Sequence, residues 1–279
     1  MRPDRAWGDR RPAADASHLR PSCGEPMTVS QYDEWAAVAE RFGVDLEQVR
    51  RDHLISHLLG AIAAGVPTDD VVFFGGTALS RTHLTDARLS EDVDLIARSS
   101  RTDVAARIEA AVRRGLARSH GRPTWAPALS ATSGSQPATV GVEGTASVQV
   151  QLLSGEGYLW PTEVRDIDQR YTDAPPARLR TLTAAGFAAA KLTAWMDRHA
   201  PRDLYDLWAM SERGLVDAAA LEVFIRCGPQ PRPPARWVFS TPIDETAWRR
   251  ALGHQTRLRV TAAEAIGAVR EAWRIAGSA

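Results

Sequence analysis

Asparagine is absent from this 279-residue chain, and lysine occurs once, at Lys191, so that every other basic side chain is arginine. A GC-rich coding sequence produces such a bias, and under it arginine is the easy choice wherever any cation serves. The one surviving lysine then marks a position that needs a compact ammonium and rejects a planar guanidinium. Cysteine is nearly missing too. Cys23 and Cys227 stand far apart and outside any C-x-x-C spacing, which argues against a disulfide framework or a cysteine-based zinc site and fits a reducing cytoplasm. No run of about eighteen apolar residues is present, and the Arg-dotted N-terminus lacks the apolar block of an export signal, so no membrane partner is expected and the expected location is cytoplasmic. Net charge is missing as well: 34 basic side chains balance 34 acidic ones. No global field draws nucleic acid or membrane, and any basic surface has to be a local patch.

What is present divides the chain in three. Residues 1–28 mix Arg, Pro and small residues without periodicity and read as an unstructured segment. Residues 29–175 read as an α+β core: two helices over 30–64, a short β-rich run DVVFF at 70–74, a glycine turn opening into a helix, an alternating strand EDVDLIAR at 91–98, a helix after it, a loop or irregular edge hairpin over 121–145, and a strictly alternating strand ASVQVQLLS at 146–154. A loop is expected through 155–180. Residues 176–279 read as a helical half, with helices around RTLTAAGFAAAKLTAWMDRHA, APRDLYDLWAMSERG and VDAAALEVFIRCG, a Pro-rich break at 228–237, and two more around 244–253 and 261–276. The expected fold is a small mixed sheet with flanking helices, followed by a mostly helical C-terminal half.

Two stretches carry chemistry. In FFGGTALSRTHLTDARLSEDVDLIAR, at 73–98, backbone N–H groups at Gly75, Gly76 and Thr77 stand where a strand turns into a helix. Such a turn cradles an anion, since no Cβ keeps a phosphate away from the chain. Residues two apart on a strand point the same way, so Ser90, Asp92 and Asp94 share one face while Val93 and Leu95 turn to the core. Two carboxylates side by side near a phosphate cradle suit Mg²⁺, a hard ion that takes the rest of its oxygens from water and substrate phosphates. In KLTAWMDRHAPRDLYDLWAM, at 191–210, Lys191 and Arg198 are two helical turns apart on one face, and Asp203 and Asp206, three apart, share a face of the next helix. A structural reading stands beside this one: Arg202 and Asp206 as an i,i+4 surface pair, with Asp203 capping a helix start.

These two motifs, in this order, resemble the AbiEii/AbiGii toxin family of the DNA polymerase β-like nucleotidyltransferase superfamily: GGT-A-L followed by R-L-S-E-D-V-D-L, then K-L…R…R-D-x-x-D-L with Lys191, Arg198, Arg202, Asp203 and Asp206 on motif positions. The segment RRDHLISHLL resembles the one that precedes the glycine motif there. The likeness covers roughly residues 45–210. It implies a nucleotidyltransferase toxin of a toxin–antitoxin pair, with a nucleoside triphosphate as substrate, Mg²⁺ held by Asp92 and Asp94, RNA as acceptor, the 3′ end of tRNA above all, and a cognate antitoxin as protein partner. It also implies that Gly75, Gly76, Thr77, Ser90, Arg198, Arg202 and Asp203 serve the nucleotide. Lys191 would balance phosphate charge, and Asp206 would orient Lys191 or accept the proton of the incoming hydroxyl.

The third carboxylate that such enzymes often carry on a later strand has only Gln149 and Gln151 as counterparts, and Glu143 and Glu156 fall in loops. Two alternatives therefore stay open: transfer to a small molecule such as an aminoglycoside, or a non-catalytic nucleotide-binding or antitoxin-interaction module. An RNA acceptor calls for an Arg-rich groove, for which Arg178, Arg180, Arg198, Arg202 and Arg226 are candidates. The tryptophans read as core or interface aromatics. His53 and His57 lie at i and i+4 on a helix with no third ligand nearby, so a zinc site is not expected.

Overall fold

In the computed structural model residues 29–278 are described. The segment expected to lack structure, 1–28, lies outside them, as does Cys23.

Helix α1 (Val29–Phe42) leads into α2 (Leu46–Gly65), whose N-terminus is capped by Asp45 accepting from the Gln48 N–H. Helix α2 is buried almost continuously from Gln48 to Ile62, which is why apolar residues occur all round it instead of in one stripe. The chain then alternates between strand and helix: β1 (Val71–Phe74), α3 (Gly75–Ser80), β2 (Asp92–Ala97), α4 (Arg101–Leu116), β3 (Thr124–Ala126), β4 (Ala138–Gly141) and β5 (Ser147–Ser154). The irregular edge expected over 121–145 is the antiparallel pair of β3 and β4.

The loop expected through 155–180 instead contains strand β6 (Thr162–Ile167) and the start of β7 (Ala177–Leu182), paired antiparallel. Both were hidden by their outward residues. In ARLRTL the buried Ala177, Leu179 and Thr181 alternate with Arg178 and Arg180, and the half-buried edge strand TEVRDI has no apolar alternation to detect. Strand β7 lies parallel to β1 and completes a seven-stranded sheet of order β3-β4-β5-β2-β1-β7-β6. Strands β2 and β5 also run parallel, while β1 and β2 are antiparallel, so the sheet is mixed as expected.

Five helices follow: α5 (Ala184–Arg198), α6 (Pro201–Glu212), α7 (Ala218–Cys227), α8 (Glu245–Leu252) and α9 (Ala262–Ala276). One apolar cluster joins the sheet residues Val93 and Leu95 to Trp195, Phe224, Trp248 and Trp273 of these helices. Trp237 lies outside this cluster and is 64% exposed. Among the described residues no helix is long and apolar enough to cross a membrane.

Candidate active site

The polar face of the central strands comes first. Val93 and Leu95 are fully buried, and Asp92 and Asp94 stand on the opposite face. Across the parallel ladder Asp92 is level with Gln149 and Asp94 with Gln151, and residues level on neighbouring strands share a face. The two glutamines are therefore the β5 side chains that stand beside the carboxylate pair, and the Gln151 amide donates to the Ser135 carbonyl.

Gly75 follows β1, level with this pair. Its φ of +80° is open to glycine at little cost, and a methyl group there would overlap Asp94 Oδ2. Asp94 thus lies flat against the glycine turn. A methyl on Gly76 would come within 2.7 Å of Arg88 Nη2 and 3.0 Å of Ser90 Oγ, so both glycines are required by close approach. No side chain caps α3, which leaves the first N–H groups of the turn without a side-chain acceptor. Thr77 is buried and its hydroxyl donates to the Asp92 carbonyl, so it holds the turn to β2.

The second motif meets the first from the helical side. Lys191 Nζ, on α5, lies 3.1 Å from Asp203 Oδ1 and 2.7 Å from Asp206 Oδ2, both on α6. Arg198 forks onto Asp203, Nε to Oδ2 at 2.7 Å and Nη2 to Oδ1 at 3.0 Å. The structural reading of this motif does not hold. Asp206 is buried and pairs with Arg88 and Lys191, Arg202 reaches toward Glu91 at 3.7 Å, and the residue before α6 is Ala200.

Charge explains the arrangement. Burial, then the neighbouring Asp92, pushes the Asp94 carboxyl up to about 6 against the pull of Lys191, Arg198 and Arg202. Asp92 is also raised, first by burial. Burial works against charge on Asp203, Asp206 and Lys191 as well, but their mutual pairing outweighs it: both carboxyls are held below the usual range and the ammonium above it. Two carboxyls with raised affinity for protons thus stand side by side on one face of β2, a candidate pair for a hard divalent ion.

Four residues here were not singled out in the sequence. Arg88 is buried, grips Asp206 and reaches the Gln255 side chain at 2.9 Å. Gln255 in turn donates to Glu91 at 3.0 Å, and Glu91 takes Arg51 of α2 at 3.1 Å. Arg88 stood inside the quoted motif, two residues before Ser90; nothing local points to Gln255. Of the five arginines proposed for a groove, Arg198 and Arg202 flank the carboxylates, whereas Arg178, Arg180 and Arg226 pair with Asp166, Asp69 and Glu222. Elsewhere, His53 and His57 gain a third histidine, His120.

A family model described as "Nucleotidyl transferase AbiEii toxin, Type IV TA system" matches residues 57–271. A crystal structure from H. pylori, provisionally named a nucleotidyltransferase, is similar at 14% identity with a TM-score of 0.48, over 84% of this chain and 96% of that chain. No protein of curated function matches.

Proposed function

The chain belongs to the AbiEii nucleotidyltransferase toxin family, and from that premise we propose that it transfers a nucleotide from an NTP to RNA, at the 3′ end of tRNA, with Mg²⁺ held by Asp92 and Asp94. The observation that carries this reading is the convergence of both motifs: Asp94 lies against Gly75 and within reach of the charges of Lys191, Arg198 and Arg202, and Arg202 acts on Asp92 as well. A bound Mg²⁺ supplies neutralisation of charge on the phosphates. The remaining work falls to the chain. The turn of Gly75 and Gly76 admits the phosphates close to the backbone. Arg198 and Arg202, 60% and 46% exposed, are free enough to meet the triphosphate or the acceptor backbone. Lys191 holds a fixed positive charge at the site. Asp206 has its Oδ1 on Arg88 and its Oδ2 on both Arg88 and Lys191, so of its two proposed roles the orienting one is supported and proton acceptance is not.

The test is incubation with each labelled NTP, Mg²⁺ and either total RNA, purified tRNA or a panel of aminoglycosides. Label on tRNA, lost in Asp92→Ala and Asp94→Ala, supports the reading. Label on a small molecule alone replaces the acceptor, and no label with any acceptor, while NTP still binds, favours a non-catalytic module.

A further inference from the structure

Three histidines meet where α2, the end of α4 and the loop before β7 come together. His53 and His57 are one turn apart on α2. His120 closes the turn after α4, its N–H donating to the Leu116 carbonyl at 2.9 Å. One ligand atom from each ring lies within 4.8 Å of the others. The ring centroids are 4.6, 4.7 and 5.1 Å apart, and the two α2 side chains are 5% and 4% exposed.

Packing alone does not favour such a group, because each buried imidazole brings a polar nitrogen that needs a partner. His57 Nε2 is buried without a hydrogen bond, 3.5 Å from Asp173 Oδ2. His53 Nε2 takes Asp173 at 3.0 and 3.1 Å, and its Nδ1 shares a 3.3 Å hydrogen bond with His120 Nε2, so His57 Nε2 is the one ring nitrogen of the three histidines found buried without a hydrogen-bond partner among the described residues. Two nitrogens bound tetrahedrally to one zinc ion at about 2.0–2.1 Å are themselves about 3.3 Å apart. A histidine that gives one nitrogen to a metal commonly gives the other to a carboxylate, which fixes its ring.

We propose that His53, His57 and His120 form a binding site for a divalent late-transition ion, zinc first, with Asp173 as the carboxylate that orients His53. An all-imidazole donor set suits zinc, copper or nickel and is unsuited to Mg²⁺. Three protein ligands leave a fourth position for water. The ion ties together segments at residues 53, 120 and 173, and its binding acts as a staple on the core side of α2.

The full chain, stripped with chelator, is titrated with Zn²⁺ alone and then, in a separate sample, with Co²⁺. One Zn²⁺ per chain, a rise in Tm and the visible absorption of a nitrogen-rich four-coordinate Co²⁺ site are expected. His120→Gln, at a partly exposed turn position, should lose stoichiometric binding and the Tm rise, and His57→Gln should do the same. Asp173→Asn should weaken binding about 10–100-fold. Asp92→Ala with Asp94→Ala should keep both effects, which separates this site from the carboxylate pair and from the proposed transfer reaction. Absence of saturable binding at micromolar Zn²⁺, or full binding in a folded His120→Gln variant, overturns the proposal.

Discussion

Arg88 donates to Asp206 through two parallel hydrogen bonds, Nε to Oδ1 at 2.7 Å and Nη2 to Oδ2 at 2.8 Å, across 118 residues of sequence. The fork fastens the glycine motif, which approaches Arg88 closely, to α6, whose Asp203 and Asp206 pair with Lys191 of α5. A lysine cannot reproduce it. Arg88→Met, which leaves Asp206 without this partner, should lower unfolding stability by about 3–5 kcal/mol, the usual cost of removing one member of a buried pair. In a double-mutant cycle with Asp206→Asn by urea denaturation the two losses should couple strongly; simple additivity would show that the contact is incidental.

The same network sets an acid limit. Asp203 and Asp206 have carboxyls below the ordinary 3.8, so their contribution is present above that value and is lost as pH falls through the lower folded one. Lys191 is raised above 10.5, so its contribution is present below that value and is lost as pH rises through the higher folded one. Between about pH 4 and 10 these three groups should leave stability flat. A Tm profile should drop below that window more steeply in the wild type than in Asp206→Asn.

Lys191→Arg keeps the charge yet should reduce nucleotide transfer by at least about two orders of magnitude, the scale for a misplaced charge in a positioned site. On a solvated helix face the change would cost no stability. Lys191 is 8% exposed between two carboxylates, so a moderate fall in Tm is expected as well. Activity is therefore normalised to folded protein, and near wild-type incorporation would assign the lysine to codon usage.

Gly75→Ala combines a positive φ with a collision against Asp94. It should remove transfer activity and cost on the order of 1–3 kcal/mol. Gly121→Ala serves as the control, since its φ is +82° but nothing lies within 4 Å of the added methyl. Activity loss should be confined to the Gly75 variant.

Asp94→Asn should separate function from stability. It removes a charge disfavoured by burial and then by Asp92, and with Asp94 raised from 3.8 to about 6 the relief at neutral pH is on the order of 3 kcal/mol. Calorimetry should find a higher Tm in metal-free buffer together with no transfer. Added Mg²⁺ should raise the wild-type Tm and leave the variant unmoved; an equal rise in both would remove Asp94 from the metal site.

Local periodicity made the centre of this molecule legible. The period-2 alternation placed Asp92 and Asp94 on one face of β2, and the seven-residue spacing put Lys191 and Arg198 on one side of α5, where both meet Asp203. What stayed hidden depends on long-range encounters. Gln255 reaches Arg88 across 167 residues, and His120 meets His53 across 67; neither leaves a local trace. Strand β7 escaped because its outward arginines masked an alternation that only the neighbouring β1 explains.

The pairing of β1 with β7 has a consequence for synthesis. Val72 and Phe73 must wait for Arg180 and Thr181 before the middle of the sheet can close, and non-local pairings of this kind form late. Chains emerge from the ribosome N-terminal end first, so the carboxylates of β2 are exported well before Lys191, Asp206 and finally Gln255. A nascent or truncated chain that ends before Lys191 carries the proposed metal ligands without their counter-charges. Chains truncated before Lys191 should therefore show no nucleotide transfer even though β2 is complete.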